Sequence, residues 1–518
     1  MKFQDVKYDD AIKLIIEDKA GISSRLFYQG DHFQKREGWI GPPAKKETLW
    51  KEIERGFVSK NVIKEVTKRH REAVVGREPD WNLTPIEERD ADEDGNVLSA
   101  EELQLVDYLI EWWDSRKVLK KLQDAVTSLL VEGRGYLRIF VPKEFVEQAN
   151  GTINTNQNLQ DALDLIYLMV PEPSQAVVYI DPNSQAEIGV FTFEEKNDKD
   201  EAVKGAEVTF LSGENTVIRI LKDGNTVDDG EFNGPLNRHL SLFEMSAEPL
   251  ITEQVRKNQA LLNMALSMMQ RNVVLGGFLE RVLINAELPD EMEVGASTIN
   301  AVVGYVVRDK QGNPITDDSG KPTIATPDFK RFDPVPVQTF TDTVETAYRN
   351  ILEECHQLHA LISGDATASG ESRKQAAEDF RQSLETTKAE VDACGRWLIE
   401  TVVAMAARFA NLTGRYDVLR ASFEAKINLK ATSEEINTMR DLVKDKVAAR
   451  ARLQMLFGVD DPDAEDAAIL ADEEKLEPIK KVQLQRQEIG LARDKRFTDG
   501  GIGNRIDEGT QDATQTTQ

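Results

Sequence analysis

The chain has little of what would announce an enzyme or a secreted protein. Cysteine is nearly absent: among 518 residues only Cys355 and Cys394 occur, both in stretches of helical pattern. Two isolated thiols exclude a disulfide scaffold and indicate a reducing compartment. No window approaches the roughly 18 uninterrupted apolar residues of a membrane span. The opening segment, Met1 to Lys19, scatters acids through its apolar positions and fits neither a signal nor a transit peptide. A soluble protein made in a cytoplasm is expected.

Basic charge is also scarce. Lysine and arginine number 64 against 91 aspartate and glutamate, a formal net charge of -27. The nearest approach to a basic run, Lys64 to Arg77, is diluted by Glu65 and Glu72. Gripping DNA through its phosphates requires clustered cations, so tight DNA binding is not expected. The acidic excess suits solubility, or a surface that nucleic acid passes without sticking.

Catalytic motifs are missing too. No GxxxxGK[ST] loop occurs: the nearest glycine pair, Gly364 and Gly370, is followed by Glu371 and Ser372 and lacks the phosphate-binding lysine. There is no GxSxG and no HExxH. The five histidines are His32, His70, His239, His356 and His359. His356 and His359 stand three apart on a predicted helix beside Glu353, Glu354 and Cys355, a spacing open to metal ligation. A pair facing a neighbouring subunit is the preferred reading. Nothing supplies a nucleophile and a base, so the chain is read as a non-enzyme that requires no cofactor.

What is present is globular. Hydrophobic residues make up 40% and charged residues 30%, and the length implies roughly two to four structural units. Short helices are predicted at Asp9 to Lys19 and Asn61 to Val75, the latter closed by Gly76. Between them lies an aromatic, Gly/Pro-rich loop from Phe27 to Pro43. One helix is predicted from Ser99 to Glu132. Ser99 and Glu102 form its capping box, Leu103, Val106, Ile110, Trp113, Leu122, Val126 and Leu129 its apolar face, and Gly133 its end. Strands follow at Tyr136 to Val141, Leu165 to Met169, Ala176 to Ile180, Ile188 to Glu194, Glu207 to Leu211 and Thr216 to Leu221.

Leu250 to Leu279 is helical again. The Gly-, Pro- and Val-rich stretch from Arg281 to Pro336 carries a strand-like Ala301 to Asp309, a turn at Gln311 to Pro314 and a polar loop through Gly320. A helix from Thr339 to Leu361, the small-residue loop Ile362 to Glu371 and a very long helix from Ser372 to about Leu412 complete the passage. Leu384, Val391, Leu398, Met405 and Leu412 recur every seven residues, with Phe380, Cys394, Val402 and Phe409 as a second seam. Glu385, Lys388, Glu390, Asp392, Arg396 and Glu400 fall outside the seams, as expected for a solvated or inter-subunit face. Strand-like Val418 to Leu429 and a capped helix at Thr432 follow, then a polar tail expected to be disordered.

One motif is formally complete. Asp90, Asp92, Asp94, Gly95, Asn96 and Glu101 match D-x-D-x-D-G-x5-E, in which alternate oxygens converge on calcium and the last glutamate closes the site. The segment before it, Thr84 to Arg89, is barely a turn long and no second loop pairs with it, so an acidic linker between helices is the competing reading.

The order of segments resembles the portal proteins of tailed bacteriophages. Tyr28 to Pro42 resembles that family's N-terminal loop, Glu132 to Pro142 and Val177 to Glu194 its wing strands, Arg271 to Pro289 its stem-to-clip passage, and Ser369 to Phe380 the start of its long wing helix. The resemblance implies an α+β, portal-like architecture with long helices, a β-rich wing and a small α/β clip. Its parts would be a wing over 1–249, a stem helix over 250–279, the clip over 280–336, a second stem helix over 337–361 and a channel loop over 362–371. The long helix and the following strand would occupy 372–430, a crown 431–480 and a tail 481–518.

It further implies about twelve copies closed into a ring at one capsid vertex. Double-stranded DNA would pass through that ring non-specifically, packaged by a terminase motor and later ejected. Implied partners are the large terminase subunit, the major capsid and scaffolding proteins and a head-completion adaptor, with assembly in a bacterial cytoplasm and no membrane. The channel-loop residues carried over are Ser363, Gly364, Ser369, Gly370, Arg373 and Lys374. Another capsid-associated protein, such as a scaffold or minor head protein, and a calcium-binding interaction module are the alternatives. The acidic 90–101 loop has no place in the family pattern.

Overall fold

The computed structural model describes residues 6–427 except 18–21, 31, 33–50, 52–53, 92–95, 143–157, 197–201, 223–230, 278–280, 286–303, 332–334 and 363–369. Beyond 427 it describes scattered residues between 439 and 470. The chain divides into two units, Met1–Asn428 and Leu429–Gln518. In the second, Asp466 accepts from Gln454 at 2.6 Å and lies 3.7 Å from Arg450. The expected helix at Thr432 and the expected disordered tail lie outside the described residues. Among those residues no helix is long and apolar enough to cross a membrane.

The first unit is α+β, with long helices and several small antiparallel sheets. Strands β4 (Ala176–Ile180), β5 (Glu187–Lys196), β6 (Ala202–Ser212), β7 (Asn215–Lys222) and β8 (Glu231–Gly234) form a five-stranded meander in chain order. Helix α1 (Tyr8–Glu17) lies on it, burying Ala11 and Ile15 against Val190, Val208 and Phe210. A three-stranded sheet places β2 (Arg134–Phe140) between β3 (Tyr167–Met169) and β9 (Leu242–Ser246). A buried ion pair joins the two sheets. Arg138 Nε donates to Glu207 Oε1 at 2.9 Å, and the guanidinium lies 4.5 and 4.6 Å from the ring centres of Phe140 and Phe191.

After α2 (Ile22–Gln29) comes α3 (Val62–Val75), capped by the Asn61 side chain and ended at Gly76, as its sequence indicates. The single helix expected from Ser99 to Glu132 is instead two, α4 (Ala100–Ser115) and α5 (Val118–Glu132). Both expected ends hold: the Ser99–Glu102 capping box is formed, and Gly133 closes α5 with φ 80. Between them Lys117 adopts a left-handed conformation, φ 52. The break lets each helix bury its own face. Trp112 Nε1 and Arg116 Nε both donate to the carbonyl of Ile166, two residues beyond the short α6 (Leu159–Asp164), at 3.1 and 3.0 Å. As a result α4 buries Leu105, Leu109, Trp112 and Trp113, and leaves Leu103 and Ile110 of the expected apolar face exposed.

Helix α10 (Gly370–Phe409) runs 40 residues, about 60 Å. Both seams are buried from Phe380 to Phe409, while Leu412 lies beyond the helix and is half-buried. Trp397, Ile399, Val403, Ala406 and Ala407 are buried as well. Its second half is therefore the centre of a core and not a two-seam rod. The charges expected to face solvent or a neighbour largely serve the chain itself. Lys388 pairs with Asp392 and Glu424 at 2.9 and 3.4 Å, Asp392 accepts from the Ala425 amide at 2.7 Å, and Glu390 accepts from the Ser246 amide at 3.1 Å. The bonds to Glu424 and Ala425 dock β12 (Leu419–Glu424), while Glu390 holds the end of β9; β12 pairs antiparallel with β1 (Asp80–Pro85), a strand not anticipated from sequence. Gly395 allows the approach, since a Cβ there would collide with the Phe423 ring.

Candidate functional site

The passage with the most distinctive geometry is a helix pair with a hairpin at one end. Helix α7 (Glu253–Gly277) leads to β10 (Arg281–Ile284), which pairs with β11 (Asp328–Arg331), and the chain returns through α8 (Val337–Glu354). Asn258 contacts Asn350 and Asn272 contacts Val335, so the helices are antiparallel. The expected boundaries of α7 hold within a few residues; the expected continuation of α8 to Leu361 does not.

One end of the pair is fastened by a polar stripe. Gln259, Asn263 and Ser267 recur every four residues, one per turn, and all are buried. Gln259 Oε1 accepts from the Val62 and Ile63 amides at 2.9 and 3.2 Å, Asn263 Oδ1 from the Lys60 amide at 3.0 Å, and Ser267 Oγ from the Val58 amide at 3.0 Å. Side-chain oxygens thus satisfy the backbone of segment 57–63 that leads into α3. At the hairpin end a single side chain works as a strand would. Asn272 Oδ1 accepts from the Val335 amide at 2.9 Å, and its Nδ2 donates to the Val335 carbonyl at 2.8 Å. Around this clasp Val273, Val274, Val335 and Val337 are exposed.

Beyond the hairpin stem the chain repeats itself. Asp309-x-x-Gly312-Asn313-Pro314 and Asp317-x-x-Gly320-Lys321-Pro322 share the pattern Asp-x-x-Gly-x-Pro, eight residues apart. In each, the aspartate Oδ1 accepts two backbone amides, from Gln311 and Asn313 or from Ser319 and Lys321, at 2.8 to 2.9 Å. Each glycine takes a positive φ, 90 or 75, that closes the turn. The amide of Asn313 and its neighbours keep the Asp309 carboxyl below its ordinary range. Val307, Ile315 and Thr323 are linked head to tail: Ile315 N donates to Val307 O, Thr323 N to Ile315 O, and Val307 N to Thr323 O, at 2.9, 2.7 and 2.9 Å. The turn expected at Gln311 to Pro314 is the first of the two.

The expected channel loop lies between α8 and α10. Ser363, Gly364 and Ser369 lie outside the described residues. Gly370 is the first residue of α10, and Arg373 and Lys374 fall in its opening turns. What the structure details is the approach to that loop. Helix α8 stops at Glu354 and His356 turns left-handed, φ 54, before the short α9 (His359–Ile362). His356 and His359 therefore do not share a helical face, contrary to their expected pairing. Gln357 anchors the kink, donating to the Val66 carbonyl at 2.8 Å and accepting from Arg69 at 2.7 Å. His359 stacks on Phe380 at 4.4 Å, and His70 meets the same ring edge-on at 6.0 Å. Burial, assisted by His356, pushes the His70 pKa down to about 4. Burial likewise lowers that of His359, with Arg69 contributing. Cys355 and Cys394 are buried thiols, and burial raises the pKa of both, that of Cys355 to about 12, which disfavours the thiolate.

Of the calcium pattern, Asp90, Asn96 and Glu101 are described, and Asp92 and Asp94 lie outside. The segment before it, Thr84 to Arg89, is the end of β1 followed by a bend, and not a helix. Glu101, which would close the site, pairs with Arg415. Although burial opposes it, the Ser99 amide and Arg89 hold the neighbouring Glu102 carboxyl below its ordinary range. Among the described residues no group of three or more His, Cys, Asp or Glu side chains could hold a metal ion.

Asn272, the Gln259–Asn263–Ser267 stripe and the octapeptide repeat were missed from sequence. The repeat alone left a readable signal. The chain matches no protein-family model, and no curated protein matches it.

Proposed function

We propose that the protein is a tailed-phage portal protein, one subunit of a ring through which double-stranded DNA is packaged and ejected. The observation that carries this reading is the connection from α7 through the β10–β11 hairpin to α8, and across 363–369 into the 40-residue α10. On this reading that succession corresponds to the family's stem, clip, stem, channel loop and long wing helix, and the sheets packed on α10, β1–β12 and β3–β2–β9, would belong to the wing. The four exposed valines around the Asn272 clasp are suited to contact with a neighbouring copy. The net charge of -27 suits a conduit that does not hold phosphate.

On this reading the chain performs no catalysis. A terminase motor docks at the hairpin end, capsid and scaffolding proteins meet the wing, a head-completion adaptor joins later, and the ring resides in the virion. Native mass spectrometry or negative-stain imaging of the purified chain should give closed rings of about twelve copies. A strictly monomeric or dimeric species under assembly conditions would sink the proposal.

A further inference from the structure

Helix α4 has two apolar faces, and only one of them is covered. Leu105, Leu109, Trp112 and Trp113 fill the core. Leu103, Val106 and Ile110 recur at helical spacing on another side, and none is buried: Leu103 is 37% and Ile110 47% exposed. At the foot of the helix this strip opens into a hollow lined by Pro85, Val97, Leu98 and Leu103. Ile86, next to Pro85 in the chain, is 63% exposed, and its amide donates to the carbonyl of Val418, itself exposed, at 2.8 Å. Isolated exposed aliphatic residues are ordinary on a protein surface, but a continuous strip of them marks a contact site.

Carboxylates predominate around the strip. Glu87, Glu88 and Asp90 line or border the hollow, and Asp107, Glu111 and Asp114 run along the outward side of the helix, all exposed. Of the cations close by among the described residues, Arg89 is engaged by Glu102 and Arg415 by Glu101, and Arg420, opposite Thr84 across the β1–β12 pair, is exposed. A second copy offering the same face would set these carboxylates against one another, and the phosphates of a nucleic acid would be repelled.

We propose that the Leu103–Val106–Ile110 strip and the hollow at its foot are a docking surface for an amphipathic segment of another protein. That segment presents a row of aliphatic side chains flanked by lysine or arginine. The burial pattern and the charge support this independently of whether the chain forms a ring.

The test uses the full chain and a fluorescein-labelled helical peptide of leucine and lysine, read by fluorescence anisotropy at physiological salt. Wild type should bind it saturably, and a peptide with glutamate replacing lysine should not bind. The double variant Leu103→Ser, Ile110→Ser keeps every charge and alters only exposed positions, so its thermal melt should match wild type. It should weaken binding about tenfold or more. The triple variant Asp107→Asn, Glu111→Gln, Asp114→Asn should weaken binding and flatten its salt dependence. Equal binding by wild type and the serine variant would mean that net charge alone attracts the peptide, and would overturn the proposal. So would a lack of saturable binding to wild type. A change in native mass caused by the serine variant would assign the strip to contact between copies, and the proposal would fall.

Discussion

His70 and Thr387 meet at 3.2 Å through the imidazole Nε2, while His70 Nδ1 is buried with no hydrogen-bond partner. Such a ring is best accommodated neutral, with Nε2–H donating to the hydroxyl and a bare Nδ1 lone pair. Charging it would place a cation among Phe380, His356 and His359, with Arg69 already beside His359.

The direction of the pH effect follows from that burial. The unfolded chain takes up a proton near the ordinary histidine pKa of 6.5, the folded chain at about 4. Stability is fully present above 6.5 and is lost as pH falls from there toward 4, to a total of about 3 kcal/mol. Urea unfolding of wild type and His70→Leu at several pH values in this window checks it. The variant should lose distinctly less stability on acidification; parallel losses would remove His70 as the cause.

The break between α4 and α5 gives a prediction of unusual sign. Lys117 has φ 52, a conformation that glycine adopts without a Cβ penalty. Lys117→Gly should therefore stabilise the fold by up to about 1 kcal/mol. In an unbroken helix the same change would cost about 1 kcal/mol. Gly133→Ala should destabilise, since Gly133 has φ 80 and its Cβ would approach the Ala247 carbonyl at 3.0 Å. Chemical denaturation midpoints of the two variants against wild type decide the matter.

The same break shows where sequence reading stops. The capping box at Ser99 and the stop at Gly133 are local chemistry and were legible. The turn at Lys117 was not, because no glycine or proline marks it and its cause is distant: the Ile166 carbonyl draws in both Trp112 and Arg116. The helical repeat of Leu103, Val106 and Ile110 shows that they share a face, not which way that face points. The long helix was legible through its heptads, whereas the use of Glu390 and Asp392 to hold backbone amides depends on strands remote in sequence. In the candidate site, Asn272 and the Gln259 stripe carry no local signature; an amide side chain in a helix reads as surface until its backbone partner is known. His356 and His359 were paired by spacing, and the left-handed turn between α8 and α9 undoes that spacing.

Arg138 and Glu207 supply a third test. Both are buried, and their bond ties β2 to β6. Glu207→Ala leaves a guanidinium in the core between two phenylalanine rings and should cost about 3 to 5 kcal/mol. Glu207→Gln keeps an acceptor and should cost less. The double variant Arg138→Met, Glu207→Leu removes both charges and should recover most of the loss. Denaturant unfolding of the set measures it; a double variant no better than Glu207→Ala would mean that the pair's geometry matters more than its charge.

The last prediction concerns the segment between α9 and α10. Gln357 fixes the chain before it to α3, and Phe380, wedged against His70 and His359, fixes the chain after it. With both ends held by the body of the protein, residues 363–370 can be exchanged without disturbing what precedes or follows. Replacing them with a short Gly-Ser linker should leave thermal stability within about 1 kcal/mol of wild type and ring assembly intact. On the portal reading the same change should reduce the DNA packaged or retained per particle. Arg373→Ala with Lys374→Ala, in the opening turns of α10, should act in the same direction and more weakly. Packaged DNA per particle, scored beside ring formation by native mass, separates the outcomes. Rings lost with the linker would mean that the segment holds subunits together. Rings formed with full DNA content would mean that it does not face the channel.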